Sequence, residues 1–291
     1  MRISALRSST SRPERAAFAL FLLAAVLPVA ASLAYAFLYT IGLAGLLSTG
    51  FTLRSWQKLL AAGELWTSFG LSLAVAGAVV ILAAAGGLAL SLSLRRSIEN
   101  GPLATFLHLP LALPYTVAGF VTYQLLAPTG LFSRLAFRLG TIDGPSGFPA
   151  LTNDASAIGI LVAHVALALP FLALLFAQLQ ASERVDRYAD LARSLGATPF
   201  QALRRVVVPM LLRRAATPML LLFVVVLGSY EIPLLLGRQA PQMLSVLTYR
   251  KWQRFDILQK PEAFVVALVY TAFALAVLAL ALRRTRAEEG G

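Results

Sequence analysis

Residues 66–94 read WTSFGLSLAVAGAVVILAAAGGLALSLSL, with no Asp, Glu, Lys or Arg. A helix needs about 20 mostly apolar residues to cross a bilayer, and this stretch exceeds that length. Hydrocarbon offers no partner to a free backbone N–H or C=O, so a lipid-crossing segment of this kind must be helical. Five further runs qualify on the same grounds: Ala16–Tyr39, Leu103–Ala127, Ala155–Ala177, Ala215–Leu236 and Ala263–Leu282. The expectation is an all-α membrane protein with six transmembrane helices. Composition agrees. Of 291 residues, 58% are hydrophobic and 13% charged, where a soluble domain carries about 25% charged residues. Mean hydropathy is +0.77.

The first run follows Arg12 and Arg15, and Ala34-Tyr35-Ala36 has the small-residue form of a signal cleavage site. The apolar stretch before it is longer than a signal h-region of about 7–15 residues. This reading favours an uncleaved first span.

Net charge is +12, from 25 Lys and Arg against 13 Asp and Glu. The basic residues fill the gaps between apolar runs. That pattern suits topology signals and anionic lipid headgroups rather than nucleic acid. Alternate crossing puts both termini and the loops 95–102 and 178–214 on one side, with 16 of the 25 basic residues. The positive-inside rule makes that side cytoplasmic. No cysteine is present, which excludes disulfides and thiol chemistry. Two histidines, His108 and His164, give no basis for a His or Cys metal site. No cofactor is implied.

The second run holds Gly70, Gly77, Gly86 and Gly87. Small residues permit close helix approach, or reflect an Ala-rich composition. Pro110, Pro114 and Pro170 are expected to kink their helices.

The longest basic connection, 178–214, reads QLQASERVDRYADLARSLGATPFQALRRVVVPMLLRR. Val185, Tyr188, Leu191, Ala192 and Leu195 recur at steps of three or four, one apolar stripe on an amphipathic helix. Arg184, Arg187 and Arg193 lie off the stripe, and Ser182 is placed to cap it. Gly196 suits a helix C-terminus. Thr198 before Pro199 is a start signal. The loop therefore reads helix, turn at Gly196-Ala197, second helix through Arg204, Arg205 and Pro209 into the fifth span. Such a helix either lies on headgroups or fits a partner's groove, and amphipathicity alone leaves both open.

The segment Asp190-Leu191-Ala192-Arg-Ser-Leu195-Gly196-Ala197, with Phe200 and Pro209, closely resembles the EAA loop of binding-protein-dependent ABC importer permeases. In that family the pattern is Glu-Ala-Ala, three residues, Gly, then about a dozen residues to an apolar-Pro pair. Here Asp190 replaces the usual Glu and Leu191 the first Ala. Ile158–His164 with Pro170-Phe171 looks like the family's fourth span, and Leu109–Pro114 like its third. The likeness covers about 66–282 and implies a type I importer permease (MetI-like) core with a cytoplasmic coupling helix. A tail, 1–15, and a first helix with its loop, 16–65, precede the core; a second tail, 283–291, follows it. The resemblance also implies the bacterial inner membrane. Implied partners are a cytoplasmic ABC ATPase dimer, a second permease subunit, like or unlike this chain, and a periplasmic or lipid-anchored substrate-binding protein. The coupling-loop residues would be Tyr188, Asp190, Leu191, Ala192, Leu195, Gly196, Ala197, Phe200 and Pro209. Asp190 would contact the ATPase or brace the loop.

No phosphate-binding Gly-x-x-x-x-Gly-Lys-Ser/Thr motif occurs, and none of Lys58, Lys251 or Lys260 follows a glycine. ATP hydrolysis would fall to a partner, and the chain itself would be no enzyme. Glu231 is the one acidic residue within the six runs. A charge at membrane depth marks a functional candidate, although a rise of about 25 Å from Arg214 puts it near the outer end. It either lines a path or gate or is solvated. Gly228–Gly237 and Met243–Tyr249 look like the matching stretches of polyamine, ferric iron and thiamine permeases. That likeness implies a cationic cargo and a path or gate role for Tyr230 and Glu231. A self-contained carrier or channel is the competing reading, but the paired half-repeats and midplane ionisable clusters of carriers are not evident here.

Overall fold

The computed structural model describes residues 12–45, 48 and 50–289, with the side chains of 12–15, 99–100 and 284–289 outside that description. Positions 1–11 and 290–291 of the expected tails lie outside the described residues. Among the described residues the chain is helical throughout, with no strand. Helix α1 runs Ala16–Thr40, α2 Arg54–Ala61 and α3 Gly63–Ser93. Then come α4, Leu103–His108, α5, Tyr115–Leu126, and α6, Ile158–Ser182. The basic loop forms α7, Val185–Ser194, and α8, Pro199–Arg214. The chain finishes with α9, Ala216–Leu227, α10, Glu231–Leu236, α11, Leu244–Trp252, and α12, Lys260–Glu289.

The six apolar runs become four unbroken helices (α1, α3, α6 and α12) and two bent pairs. The third run was expected as one kinked span. Instead it breaks, and the segments Leu103–Ala112 and Tyr115–Arg138 meet at 104°. The cause is local: the ring of Pro114 disfavours α-helical geometry at the residue before it, and Leu113 is extended (φ −79°, ψ 128°). The fifth run also fails to continue to Leu236 as one helix. It is bent 55° from α8 at its start and stops at Leu227. By contrast, α6 carries Pro170 in its interior without a break.

The core is built on α3 against α6. Gly87 sets their separation. A Cβ there would stand 2.9 Å from the Ala173 amide nitrogen and 3.1 Å from Leu172. Gly86 faces Leu169, whereas Gly70 and Gly77 have open space around them. Half of the run of small residues thus serves this contact. Around it, Val79, Ala83, Phe176, Leu211, Leu227 and Ile232 are buried in one cluster joining α3, α6, α8, α9 and α10. The pair is pinned by polar side chains too: Gln180 Nε2 donates to Ser91 Oγ at 3.1 Å, and Ser91 donates back to Leu88 O at 3.0 Å. A second cluster (Leu59, Leu65, Leu244, Leu247, Val265, Val266) packs α2, α3, α11 and α12 together. Many large apolar side chains point outward from the spans, Ile81, Phe106, Phe120 and Leu275 among them. In water such a surface would be an aggregation hazard; against lipid it is the ordinary exterior.

Because the Gly87 contact is backbone against backbone, Gly87→Ala should lower the melting temperature of the detergent-purified protein. Overpacking of this kind typically costs about 1–3 kcal/mol. Gly77→Ala, with open space, should not lower it. Equal melting of both variants in a thermal-shift series would contradict the close-approach account.

Candidate functional site: the α7–α8 loop and the broken fifth span

The loop helix α7 starts at Val185, one step after Arg184, whose backbone is left-handed (φ 49°) and caps nothing with its side chain. The capping role expected of Ser182 is not realised. Ser182 ends α6, and its hydroxyl donates to Leu179 O at 3.3 Å. At the other end Gly196 takes φ +91°, the left-handed geometry in which a Cβ costs about 1–2 kcal/mol. Its N–H and that of Ala197 close the helix on Arg193 O and Ala192 O. The second helix opens as expected. Thr198 Oγ1 accepts from Gln201 N–H at 3.3 Å, and Gln201 Oε1 accepts from Thr198 N–H at 3.0 Å, a full capping box with Pro199 at the first helical position. One turn on, Leu203–Val207 is a π-turn. Pro209 follows it, lacking the N–H that would bond Arg205 O.

The single apolar stripe read from the sequence divides in three dimensions. Val185 is buried and Ala189 half-buried against the bundle, and Ala192 beside them is half-buried. Tyr188, Leu191 and Leu195 face outward at 51%, 59% and 81% exposure, and Phe200 joins them at 66%. At about 100° per residue, these are two adjoining faces of one helix. Asp190 and Arg193 sit on the remaining side as an exposed i,i+3 pair at 3.4 Å.

Two ion pairs that sequence reading missed brace α7, one directly and one through the α6–α7 junction. Arg95, just past α3, grips both carboxylate oxygens of Asp186 at 2.8 and 2.7 Å. Glu183 meets Arg214, at the end of α8, at 3.2 Å. Their partners lie far apart in the chain, so periodicity within the loop carries no trace of them.

At the other end of the bundle, the break after α9 has a hydrogen-bond logic. Pro233 has no N–H to give Ser229 O, its i−4 carbonyl. The hydroxyl of Ser245, on α11, donates to that oxygen instead at 2.5 Å. Ser229 Oγ lies 2.8 Å from His164 Nε2, and His164 Nδ1 lies 2.9 Å from Ile160 O. A carbonyl accepts only, so Nδ1 carries the proton and Ser229 donates to Nε2. Both groups are buried. His164 therefore ties α6 to the broken span, while His108 bonds only its own helix at Ala104 O. Gly228 is required here, since a Cβ would overlap the Tyr270 hydroxyl.

Glu231 stands in the first turn of α10, where a helix N-terminus favours an anion. It is exposed. Tyr230 beside it rests its ring on Tyr249, with centroids 5.0 Å apart. A mainly apolar cavity of about 510 Å³ opens between α5, α6 and α9, lined by Pro110, Tyr115, His164, Phe171, Pro218 and Leu222 among others. Among the described residues no cluster of His, Cys, Asp and Glu forms a metal site.

The family described as binding-protein-dependent transport system inner membrane component matches residues 103–285. The chain belongs to this family. The match takes in the broken third span, α6, the α7–α8 loop and the far-end break. The family member is 30% identical over 173 residues to the sulfate transport system permease protein CysT of Synechocystis sp., spanning 58% of this chain but only 56% of that one. It is 28% identical over 223 residues to the molybdenum transport system permease protein ModB of Azotobacter vinelandii, covering 76% of this chain and 93% of the relative. Two crystal structures of a bacterial alginate ABC transporter share the fold. One, in complex with an alginate-pentasaccharide-bound periplasmic protein, has a TM-score of 0.69 at 15% identity over 94% of this chain and 93% of its own. The other has a TM-score of 0.66 at 16% identity over 93% of this chain and 92% of its own. The permease fold expected from the EAA-like loop is thus the fold observed.

If the two ion pairs brace α7, the double variant Asp186→Asn/Glu183→Gln should insert normally while amide exchange across 185–194 rises. High salt should produce part of the same rise in the unaltered protein, since exposed pairs are screened. Unchanged exchange would assign the bracing to Val185 and Ala189 packing alone.

Proposed function

We propose that this chain is a transmembrane permease subunit of an ATP-driven importer, and that α7 and the start of α8 dock on a separate cytoplasmic ATPase. The observation carrying the proposal is the outward apolar face of Tyr188, Leu191, Leu195 and Phe200. It occupies a basic loop whose other apolar face is already buried. A helix lying on headgroups would turn its apolar side to the membrane. Here Val185 and Ala189 take up the face packed on the bundle, and Tyr188, Leu191 and Leu195 stay exposed on the adjoining face, as a groove-binding helix requires. Gly196 supplies the turn that stands the helix off the bundle, and Pro209 with the adjoining π-turn passes its movement into the fifth span. Asp190, one carbon shorter than the family's Glu, is held by Arg193 and is offered to the ATPase at the rim.

On this reading both termini are cytoplasmic. The chain pairs with a second permease subunit, a copy or a relative, and receives cargo from a periplasmic or lipid-anchored binding protein. Tyr230 and Glu231, at the break in the fifth span, line the outer part of the path or its gate. The cargo class follows the charge at that end. A polyamine, ferric iron or thiamine-like cation would rest on one carboxylate, Glu231. Arg238, Arg250 and Arg254 gather around a neighbouring pocket, and the relatives are named for sulfate and for molybdenum, which neutral water holds as the molybdate oxyanion. An oxyanion is the better-supported cargo.

Gly196→Pro and Asp190→Arg should each abolish uptake and ATPase co-purification while the protein still reaches the membrane. Leu195→Glu should do the same by placing a charge at the most exposed apolar position of α7. Normal uptake and co-purification in all three would defeat the docking assignment, and transport by the reconstituted chain alone would favour a self-contained carrier.

A further inference from the structure

The end of the bundle opposite α7 carries a chain of charges. Lys58 on α2 meets Glu262 at 2.5 Å, Lys251 meets Glu262 at 2.9 Å and Glu64 at 3.3 Å, and Arg250 closes on Glu64. Two carboxylates thus serve three cations, joining α2, α3, α11 and α12. Beside this chain lies a pocket of about 320 Å³ between α10 and α11, into which Arg238, Arg250 and Arg254 project with Gln242, Gln253 and Tyr249. Arg238 and Arg254 face no carboxylate among the described pairs; Arg254 reaches only the neutral Gln259 at 2.5 Å. The pocket therefore keeps an excess of positive charge after every described ion pair is formed.

Its polar atoms are also unfinished. Arg238 Nε, Arg250 Nε and Gln242 Oε1 are each buried without a hydrogen-bond partner. A buried donor left unmade costs about 1–3 kcal/mol, and more when it is charged, so the two guanidinium donors at one pocket point to an absent acceptor. The amide of Gln242 can turn over to offer its NH2 group to the same acceptor. Burial, and then the like charge of Arg254, press Arg250 below the usual guanidinium range even with Glu64 beside it. An anion in the pocket would offset both. Guanidinium forks match tetrahedral and carboxylate-like oxyanions in a way that a cation or neutral sugar cannot use.

We infer that the Arg238–Arg250–Arg254 pocket binds a small oxyanion of the sulfate or molybdate type, or the phosphate group of a lipid. As a cargo site it rests on the importer reading above; as a binding site it does not. Arg238 is the anchor, because it has no other partner among the described residues. Glu231 and Glu262 lie outside the lining, Glu64 takes one edge of Arg250 only, and no described carboxylate pairs with Arg238 or Arg254.

The test is equilibrium binding of radiolabelled sulfate to the purified full chain in phosphatidylcholine nanodiscs, competed with molybdate. Saturable binding is expected, weakened about tenfold or more in Arg238→Gln by loss of a charge-assisted hydrogen bond and likewise in Arg254→Gln. Arg205→Gln, on α8, should bind as the unaltered protein does, and melting curves would show that all variants are folded. A parallel arm uses phosphatidylglycerol nanodiscs without sulfate. Lipid-dependent stabilisation lost in Arg238→Gln, with no sulfate binding, would keep the site and assign it to a lipid phosphate. If neither sulfate nor phosphatidylglycerol distinguishes folded Arg238→Gln from the unaltered protein, the site is refuted. If sulfate binds at Arg238 yet no oxyanion is taken up by the assembled importer, the site stands and the cargo assignment falls.

Discussion

Every backbone group inside a bilayer must find its partner within the protein, and the irregular features of this chain answer to that constraint. At Pro233, where the ring removes a donor, a side chain elsewhere supplies one. Pro233 leaves Ser229 O without its helical partner, and Ser245 Oγ on α11 fills the vacancy. Ser229 in turn gives its own hydroxyl to His164 on α6. Leu244 N–H, at the buried start of α11, finds the buried Ser72 Oγ of α3 at 2.9 Å. These bonds give partners to polar groups at the break after α9 and at the start of α11. They also fix where α10 and its Glu231 lie relative to the core.

The loop at the other end is built on a different balance. Its apolar residues exceed what one face can bury, so the bundle takes Val185 and Ala189, and Tyr188, Leu191 and Leu195 remain outside. The braces from Arg95 and Arg214 fix the orientation of α7, but both pairs are partly or largely exposed, and such pairs contribute about 0–1 kcal/mol each. The packing of Val185 is therefore the firmer hold. That combination leaves α7 a distinct element, joined to α8 through the Gly196 turn.

Charge at the far end has two uses. Glu64 and Glu262 are consumed in knitting α2, α3, α11 and α12 together, and the buried Lys251 between them would be costly to keep alone. The arginines left over gather on one pocket. Its position is beside the broken fifth span: the short α10 ends at Leu236, and Gly237 and Arg238 come out at the turn before α11.

The amino-acid sequence by itself determined the all-helical membrane class, the apolar runs, the basic loop, and the Gly196 turn with its Thr198–Gln201 start. Each is local: run length against bilayer thickness, capping within four residues, backbone freedom at one glycine. The family likeness was legible there too, because the loop pattern is contiguous. Tertiary structure alone decided which of the glycines in the second run make contact, since Gly87 and Gly77 are equivalent in sequence and only one faces Ala173. It alone divided the α7 stripe into a buried and an exposed face, because periodicity gives an angle and not a neighbour. It also set the breaks: Pro170 and Pro233 look alike along the chain, yet α6 runs on and the fifth span stops. At the stop the fold brings Ser229 a donor sixteen residues away in sequence, which no reading of the proline alone would place there.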